Sequence, residues 1–233
     1  MSQNKLLAML VAFISLIALV SFALSPVFQV HSFEFTGLNI LEEQTLLKKI
    51  ETYKKSNFFT LQSSQIKNKL MEFNYIEDLT VNKDFPDRLV IHIMERKPVA
   101  KIINNGKYLV ISSEGYIIEE GSRNSIKNVP LIKGMGYSFN NNFIEFTPVF
   151  AEIVQALAEI DLDTISKLRL IEFEEGSVTA ETNKFNIKLE STDKIKLKFQ
   201  ILESIFTKME KEKLDFDYID LSIPEKPVIK LKK

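Results

Sequence analysis

Phe85 to Ala100, FPDRLVIHIMERKPVA, joins a tight turn, an alternating strand and an abrupt stop. Pro86 fixes φ and Asp87 suits the next turn position, so Pro86-Asp87 predicts the corner of a hairpin. Leu89, Ile91 and Ile93 then fall on one face of a strand and Val90, His92 and Met94 on the other, a period of two. Pro98 cannot donate to a sheet ladder and restricts the residue before it, so the strand ends near Arg96 and the chain redirects. A domain boundary is expected there.

Upstream of this stretch, from Phe28, the order reads strand, helix, helix, strand, strand. Phe28, Val30, Phe33 and Phe35 predict the first strand, which Gly37 ends. Leu46, Ile50 and Tyr53 share one face of a first helix, and Ile66, Leu70 and Phe73 one face of a second, with Ser63 or Ser64 as its cap. Leu79 and Val81 open the strand that leads into the Pro86 turn. Two amphipathic helices and a three-stranded sheet each have one apolar face, and packing them together makes a small two-layer domain.

Further upstream, Leu6 to Leu24 contains no charged residue and no proline. As a helix it reaches roughly 28 Å, close to the ~30 Å of bilayer hydrocarbon, which predicts a transmembrane helix at about 6–26. A cleaved signal peptide is the alternative, since Ala23-Leu24-Ser25 has a small-x-small pattern, but its apolar core would be only ~7 to 15 residues long. Lys5 precedes the helix and no Lys or Arg follows it until Lys48. The positive-inside rule therefore places a short tail, 1–5, in the cytoplasm and the rest outside.

At 45% apolar and 26% charged, the composition is globular material plus one span, and a net charge of -1 gives no electrostatic case for nucleic acid. Without cysteine, disulfides and a Cys-linked lipid are excluded. An enzyme reading finds little: His31 and His92 are the two histidines, and no glycine-rich phosphate loop is present. His92 reads as a sheet-surface residue. Glu119-Glu120 and Glu174-Glu175 are adjacent pairs, which on a strand point to opposite faces. Met94 and Met135 need no role beyond packing. No catalytic, metal or cofactor residue is nominated.

Downstream of Val99 a mainly β unit is expected. Tyr108 to Ile111 and Tyr116 to Ile118 predict a hairpin around Glu114-Gly115, and Thr147-Pro148 predicts a helix start. That helix sets Phe150, Ile153, Leu157 and Ile160 on one side. Strands follow near Leu168 to Phe173, Ser177 to Glu181 and Asn186 to Leu189, then a long helix from about Asp193 to Lys211 with Ile195, Phe199, Leu202, Phe206 and Met209 inward. Tyr218 to Leu221 and Val228 to Leu231 are the final strands. An edge strand offers unpaired N–H and C=O groups to which another chain can add. Val228 to Leu231 is the preferred docking edge; an ordinary edge shielded by lysines is the competing reading.

The element order, a single N-terminal anchor and a series of short motifs resemble the FtsQ/DivIB family of bacterial cell-division proteins, with a POTRA domain at 28–97 and an FtsQ/DivIB-type β domain at 98–233. The motifs are Val30 with Phe33 to Asn39, Phe85-Pro86-Asp87-Arg88-Leu89, Glu95-Arg96-Lys97-Pro98-Val99-Ala100, Val129-Pro130-Leu131-Ile132-Lys133-Gly134 and Tyr218-Ile219-Asp220-Leu221. The resemblance implies an α+β fold: an N-terminal transmembrane helix, a β-α-α-β-β POTRA domain, and a mainly antiparallel β domain with two or more helices. It implies a non-enzymatic divisome scaffold at the septum that helps localise and regulate septal peptidoglycan synthesis. Its implied partners are FtsB/DivIC-like and FtsL-like membrane-anchored proteins. Ser222 and Ile223 stand where the family makes this contact, and Val228, Ile229, Lys230 and Leu231 would supply the added-strand ladder. Ser222 replaces an Arg common in the family, which removes a salt bridge. Phe28 to Phe35 form a second candidate surface, for other divisome proteins. The rival classes are a POTRA-containing envelope transport or assembly module and a cell-wall enzyme.

Overall fold

The structure is a computed structural model that describes residues 3–122, 127–134, 136–140 and 143–232. Met135 lies outside the described residues. The chain divides into two compact units that meet at Glu95 and Arg96.

Unit 1 begins with helix α1, Gln3–Ala23, in which Asn4–Ala23 is long and apolar enough to cross a membrane. This apolar helix fits a transmembrane segment. A 3-10 turn, Pro26–Phe28, follows, with Ser25 Oγ accepting the Val27 amide at 3.4 Å. The first strand is therefore shorter than the apolar residues predict: β1 is Ser32–Thr36, and Phe28 sits in the turn. Phe28 and Val30 are still buried, because the chain pairs there with a loop. The Val30 amide donates to the Ser56 carbonyl at 2.9 Å, and the Lys55 amide to the Val30 carbonyl at 2.9 Å.

Helices α2, Glu43–Ile50, and α3, Ser63–Leu70, carry the chain across to strands β2, Ile76–Asp84, and β3, Arg88–Glu95. The sheet order is β1-β3-β2, with β1 parallel and β2 antiparallel to β3. A parallel pair needs a long crossover, and the two helices with β2 form it. Leu46 and Ile50 of α2 and Ile66 and Leu70 of α3 pack on Leu79, Leu89, Ile91 and Ile93. Tyr53 lies in a 3-10 turn after α2, and Phe73 lies past the end of α3. Neither Ser63 nor Ser64 caps α3; Gln62 holds the cap position without a side-chain bond, since both serines are already inside the helix. His92 is on the exposed sheet surface, its Nδ1 2.5 Å from Thr36 Oγ1.

The motifs that flank the sheet act on turns. The Glu95 carboxylate accepts the amides of Asn39, Ile40 and Leu41 at 3.0, 2.7 and 2.8 Å, which closes the turn after β1. Gly37, at φ +82°, precedes that turn because a Cβ there would fall 2.1 Å from the Ile93 carbonyl oxygen. Arg88 ties the hairpin corner down, binding Glu34 at 2.9 Å through Nη1 and Asp84 at 2.7 Å through Nε.

Unit 2 is built on strands β4 Ala100–Asn104, β5 Lys107–Ile111, β6 Ile117–Gly121 and β7 Leu131–Lys133, with a separate hairpin β8 Tyr137–Asn140 and β9 Phe143–Phe146. Helices α4 Pro148–Glu159 and α5 Leu162–Lys167 lead to β10 Leu168–Glu174, β11 Ser177–Thr182 and β12 Asn186–Glu190. Helix α6 Ile195–Glu212 and strands β13 Phe216–Asp220 and β14 Val228–Leu231 complete it. Among the described residues, nine strands form one sheet in the order β14-β13-β12-β11-β10-β7-β4-β5-β6. Neighbours are mostly antiparallel, with β7 parallel to β4 and β10 and β12 parallel to β13.

Strands β4 and β7 to β9 and helix α5 carry no periodic signal long enough to predict them, and β7, although central, has three residues. Thr147 stands at the N-cap of α4 with Pro148 at the first turn, but its hydroxyl makes no cap bond. The apolar faces of α4 and α6 are buried through Phe150, Ile153, Leu157, Phe199, Leu202 and Phe206. Lys198 is buried on the same helix, where its ammonium donates to the Leu189 and Ser191 carbonyls at 2.7 and 3.0 Å. Burial pushes its pKa down.

Candidate functional site

Strand β14 is the last strand of the large sheet, and its geometry follows from β13. The β13–β14 register pairs Phe216 with Leu231, Ile219 with Ile229 and Asp220 with Val228, with a bulge between Phe216 and Tyr218. The ladder continues one step, with the Lys232 amide donating to the Asp215 carbonyl at 2.9 Å. Antiparallel pairs alternate between bonded and non-bonded, so Val228, Lys230 and Lys232 direct their backbone groups to β13. The N–H and C=O of Ile229 and Leu231 point away from the sheet, as the free side of an edge.

Side chains alternate in the same way. Ile132, Ile171, Ala180, Ile187, Ile219 and Ile229 lie in one lateral row from β7 to β14. The first five are buried, and Ile229 is 40% exposed. On the other face Lys133, Glu172, Thr179, Lys188, Asp220 and Val228 form the matching row, polar until it reaches Val228. The apolar face of the sheet thus runs beyond its own cover. Leu231, opposite Phe216, is 50% exposed and Val228 58%.

The approach to this edge is held by polar contacts. Asp220 accepts the Tyr218 hydroxyl at 2.8 Å on one oxygen and the Ser222 amide at 2.8 Å on the other, which fixes the exit from β13. Burial alone would raise the Asp220 pKa; Ser222 and Tyr218 outweigh it and hold the carboxyl below its ordinary value. Ser222 Oγ is buried near the Asp220 and Glu190 carboxylates without a well-formed hydrogen bond to either. Ile223 is exposed on the loop that follows, and that loop is tied to the start of α6 by Lys194 and Glu225 at 2.5 Å. Lys230 Nζ lies 2.7 Å from Asp217, the bulged residue of β13, and this ion pair lowers the Asp217 pKa.

The structure therefore brings Val228, Ile229, Lys230 and Leu231 onto one open edge, with Ile223 on the adjoining loop and the Ser222 hydroxyl turned inward. Sequence reasoning missed Asp217 and Tyr218 as parts of this site. The Asp217 role depends on the bulge and on the register, which no local pattern encodes, whereas Tyr218 meets Asp220 two residues on along one strand face, a period-two signal.

Residues 101–222 match the family described as cell division protein FtsQ/DivIB, C-terminal, and residues 28–96 match the POTRA domain, FtsQ-type. The chain belongs to the FtsQ/DivIB family of cell division proteins. The cell division protein DivIB of Clostridium botulinum is 26% identical over 254 aligned residues, spanning 99% of this chain and 93% of that protein. DivIB of Clostridium tetani is 29% identical over 108 residues, 46% of this chain and 40% of the relative. FtsQ of Zymomonas mobilis is 26% identical over 137 residues, 57% of this chain and 43% of the relative. The chain thus spans less than half of the last two. The major extracytoplasmic domain of the trans isomer of DivIB from Geobacillus stearothermophilus aligns with 51% of this chain and 97% of its own length, at 14% identity and a TM-score of 0.37.

The FtsQ/DivIB match gives the motifs a physical content. Glu95, Arg96 and Lys97 serve three different ends: Glu95 closes the turn after β1, Arg96 stacks 3.9 Å from the Tyr116 ring centre, and Lys97 donates to the Ala158 carbonyl at 2.6 Å. Val129 to Gly134 carries β7, the strand joining the two halves of the large sheet. The matched FtsQ/DivIB region ends at Ser222, so β14 lies beyond it.

Proposed function

We propose that this FtsQ/DivIB protein is a non-enzymatic divisome scaffold that captures FtsB/DivIC-like and FtsL-like membrane-anchored proteins by strand addition to β14. On this reading α1 anchors the chain with its N-terminus in the cytoplasm, and both units stand outside at the septum, where they help localise and regulate peptidoglycan synthesis. The observation that carries it is the lateral row that ends at Ile229: an apolar sheet face and two outward pairs of backbone groups stop together at one exposed edge. A partner strand would satisfy the backbone groups and cover Ile229 and Leu231 in one step. Ser222 offers no charge, so backbone bonds and apolar packing carry the contact. Tethering both partners to one bilayer raises their effective concentration, so a short added strand is sufficient.

Two proline variants of the full-length protein test this. Ile229→Pro removes an outward amide and leaves the β13 ladder intact, whereas Val228→Pro removes an inward one and detaches β14. Capture of the FtsB- and FtsL-type proteins in nanodiscs should be lost in both, with the native melting transition kept in Ile229→Pro. Undiminished capture by Ile229→Pro rejects β14 as the docking edge. The Phe28 to Phe35 segment is a secondary surface for other division proteins, with Phe33 and Phe35 half-buried against the unit 1 core.

A further inference from the structure

The exposed rings that gather on the core residue Phe28 are explained neither by the unit 1 core nor by its sheet. Asn57 Nδ2 donates to the carbonyl of Ala23, the last residue of α1, at 2.8 Å. Its Oδ1 accepts the amides of Phe59 and Thr60 at 3.0 and 3.2 Å. One side chain therefore satisfies an orphan carbonyl at a helix end and folds the turn that presents Phe59. The neighbouring Phe58 amide donates to the Phe28 carbonyl at 2.7 Å, fixing that turn under the helix.

The rings then form a chain. Phe22, in the last turn of α1, is 5.1 Å from Phe28 between ring centres; Phe59 is 5.1 Å and Phe85 5.6 Å from Phe28. Phe28 is buried, while Phe59 is 52% and Phe85 64% exposed, and Leu24 and Val27, between Phe22 and Phe28 in the chain, are also exposed. Phe85 comes from the β2–β3 hairpin, so three separate segments converge on one apolar surface at the end of α1.

The apolar part of α1, Leu6 to Ala23, reaches about 27 Å, close to the ~30 Å of bilayer hydrocarbon, which sets Phe22 and Ala23 near its outer edge. Rings linked to Phe22 by two steps of about 5 Å lie within roughly 10 Å of it, and the headgroup layer on each side is about 5–8 Å deep. We infer that Phe59 and Phe85, with Leu24 and Val27, insert into the outer interface of the bilayer that α1 crosses and dock unit 1 upon it. The occupant is lipid because the surface is continuous with the lipid-facing end of α1, through Phe22 and the Asn57 bond. Lys83, whose Nζ donates to the Phe58 carbonyl at 2.6 Å, supplies a cation beside the rings at headgroup level. Docking gives the strands and helices that follow α1 a fixed height over the bilayer. The inference rests on α1 being a membrane anchor.

The chain has no tryptophan, so a single reporter is free of background. Full-length Phe59→Trp, Phe85→Trp and Met94→Trp variants are reconstituted into vesicles of phosphatidylcholine and phosphatidylglycerol, with and without brominated acyl chains. Met94 is exposed at the opposite end of β3 from the hairpin, roughly 20 Å away along the strand. Emission from positions 59 and 85 should be blue-shifted and at least twofold quenched by the brominated lipid, and emission from position 94 unchanged. Unquenched emission at both 59 and 85 overturns the docking, whether red-shifted, as in water, or blue-shifted, as under a second copy or another protein. The two reporters sit on different loops, so a local distortion at one leaves the other to decide. Flotation of the same vesicles separates the premises: protein that does not float refutes the anchor itself, and protein that floats without quenching refutes only the docking.

Discussion

Ile219 and Ile229 face each other across β13 and β14, yet Ile219 is fully buried and Ile229 is 40% exposed. The two share one sheet face and differ only in having a strand on the far side. If that missing neighbour is supplied by a partner, Ile229→Asp and Leu231→Asp place a charge where the added sheet would bury it. Each should weaken capture of the FtsB- and FtsL-type proteins at least tenfold, about 1.4 kcal/mol. Titration of partner onto the reconstituted protein measures this, and an unchanged melting curve shows that the fold is retained.

Glu95 offers a test of unit 1. Its carboxylate holds three successive amides, and Glu95→Ala leaves Ile40 and Leu41 without these acceptors in a half-buried turn. The expected loss is about 1.5–3 kcal/mol, the range for hydrogen bonds to a charged group. Urea unfolding gives the total, and hydrogen exchange should show the lost protection concentrated at residues 39–41.

Two glycines with nearly the same backbone should respond differently. Gly134 and Gly176 have φ of +75° and +83°, but a Cβ on Gly134 would fall 1.8 Å from the Phe173 carbonyl oxygen, while one on Gly176 meets nothing within 4 Å. Gly176→Ala should cost only the left-handed term, about 1–2 kcal/mol. Gly134→Ala must also push β7 from β10 and should cost clearly more. Thermal unfolding of the two variants side by side gives the comparison.

Acid should loosen the turn that leads from β13 to β14. The folded-state pKa of Asp220 lies below its ordinary value of 3.8, so its contribution is present above that pH and is lost as pH falls through the lowered folded value. Asp220→Asn should therefore be less stable than the parent at neutral pH, and the gap should close as the pH is taken down from 3.8. Urea unfolding at stepped pH reads the difference; a gap independent of pH removes the carboxylate from the account.

Legibility from sequence followed the length and repetition of the pattern. Leu89, Ile91 and Ile93 alternate on one strand, and Phe199, Leu202 and Phe206 recur on one helix, so those elements were readable and are buried where expected. Residues Leu131 to Lys133 make a strand only because β4 and β10 flank them, and three residues carry no period. Phe28 looked like strand because it is apolar beside apolar residues, whereas Ser25 and Pro26 had already committed the backbone to a turn. Lys198 is a charge on a helix with no sequence signal for burial, and it is buried because the carbonyls of Leu189 and Ser191, in and just after β12, accept its N–H groups. The candidate edge was legible as a segment, Val228 to Leu231, but not as a surface. Which amides point outward depends on the β13 register and its bulge.

Local chemistry written in the chain settled the apolar N-terminal helix, the strand-helix-helix-strand-strand order of unit 1, the longer elements of unit 2, and the turns at Gly37 and Pro86. Each depends on near neighbours: side-chain period, backbone restriction by proline, and the freedom of glycine. Only the tertiary structure decided that the row ending at Ile229 loses its cover, that Asp217 meets Lys230, and that Phe22, Phe28, Phe59 and Phe85 converge. Those depend on strand register and chain crossing, where residues distant in sequence are brought together by the burial of a shared core.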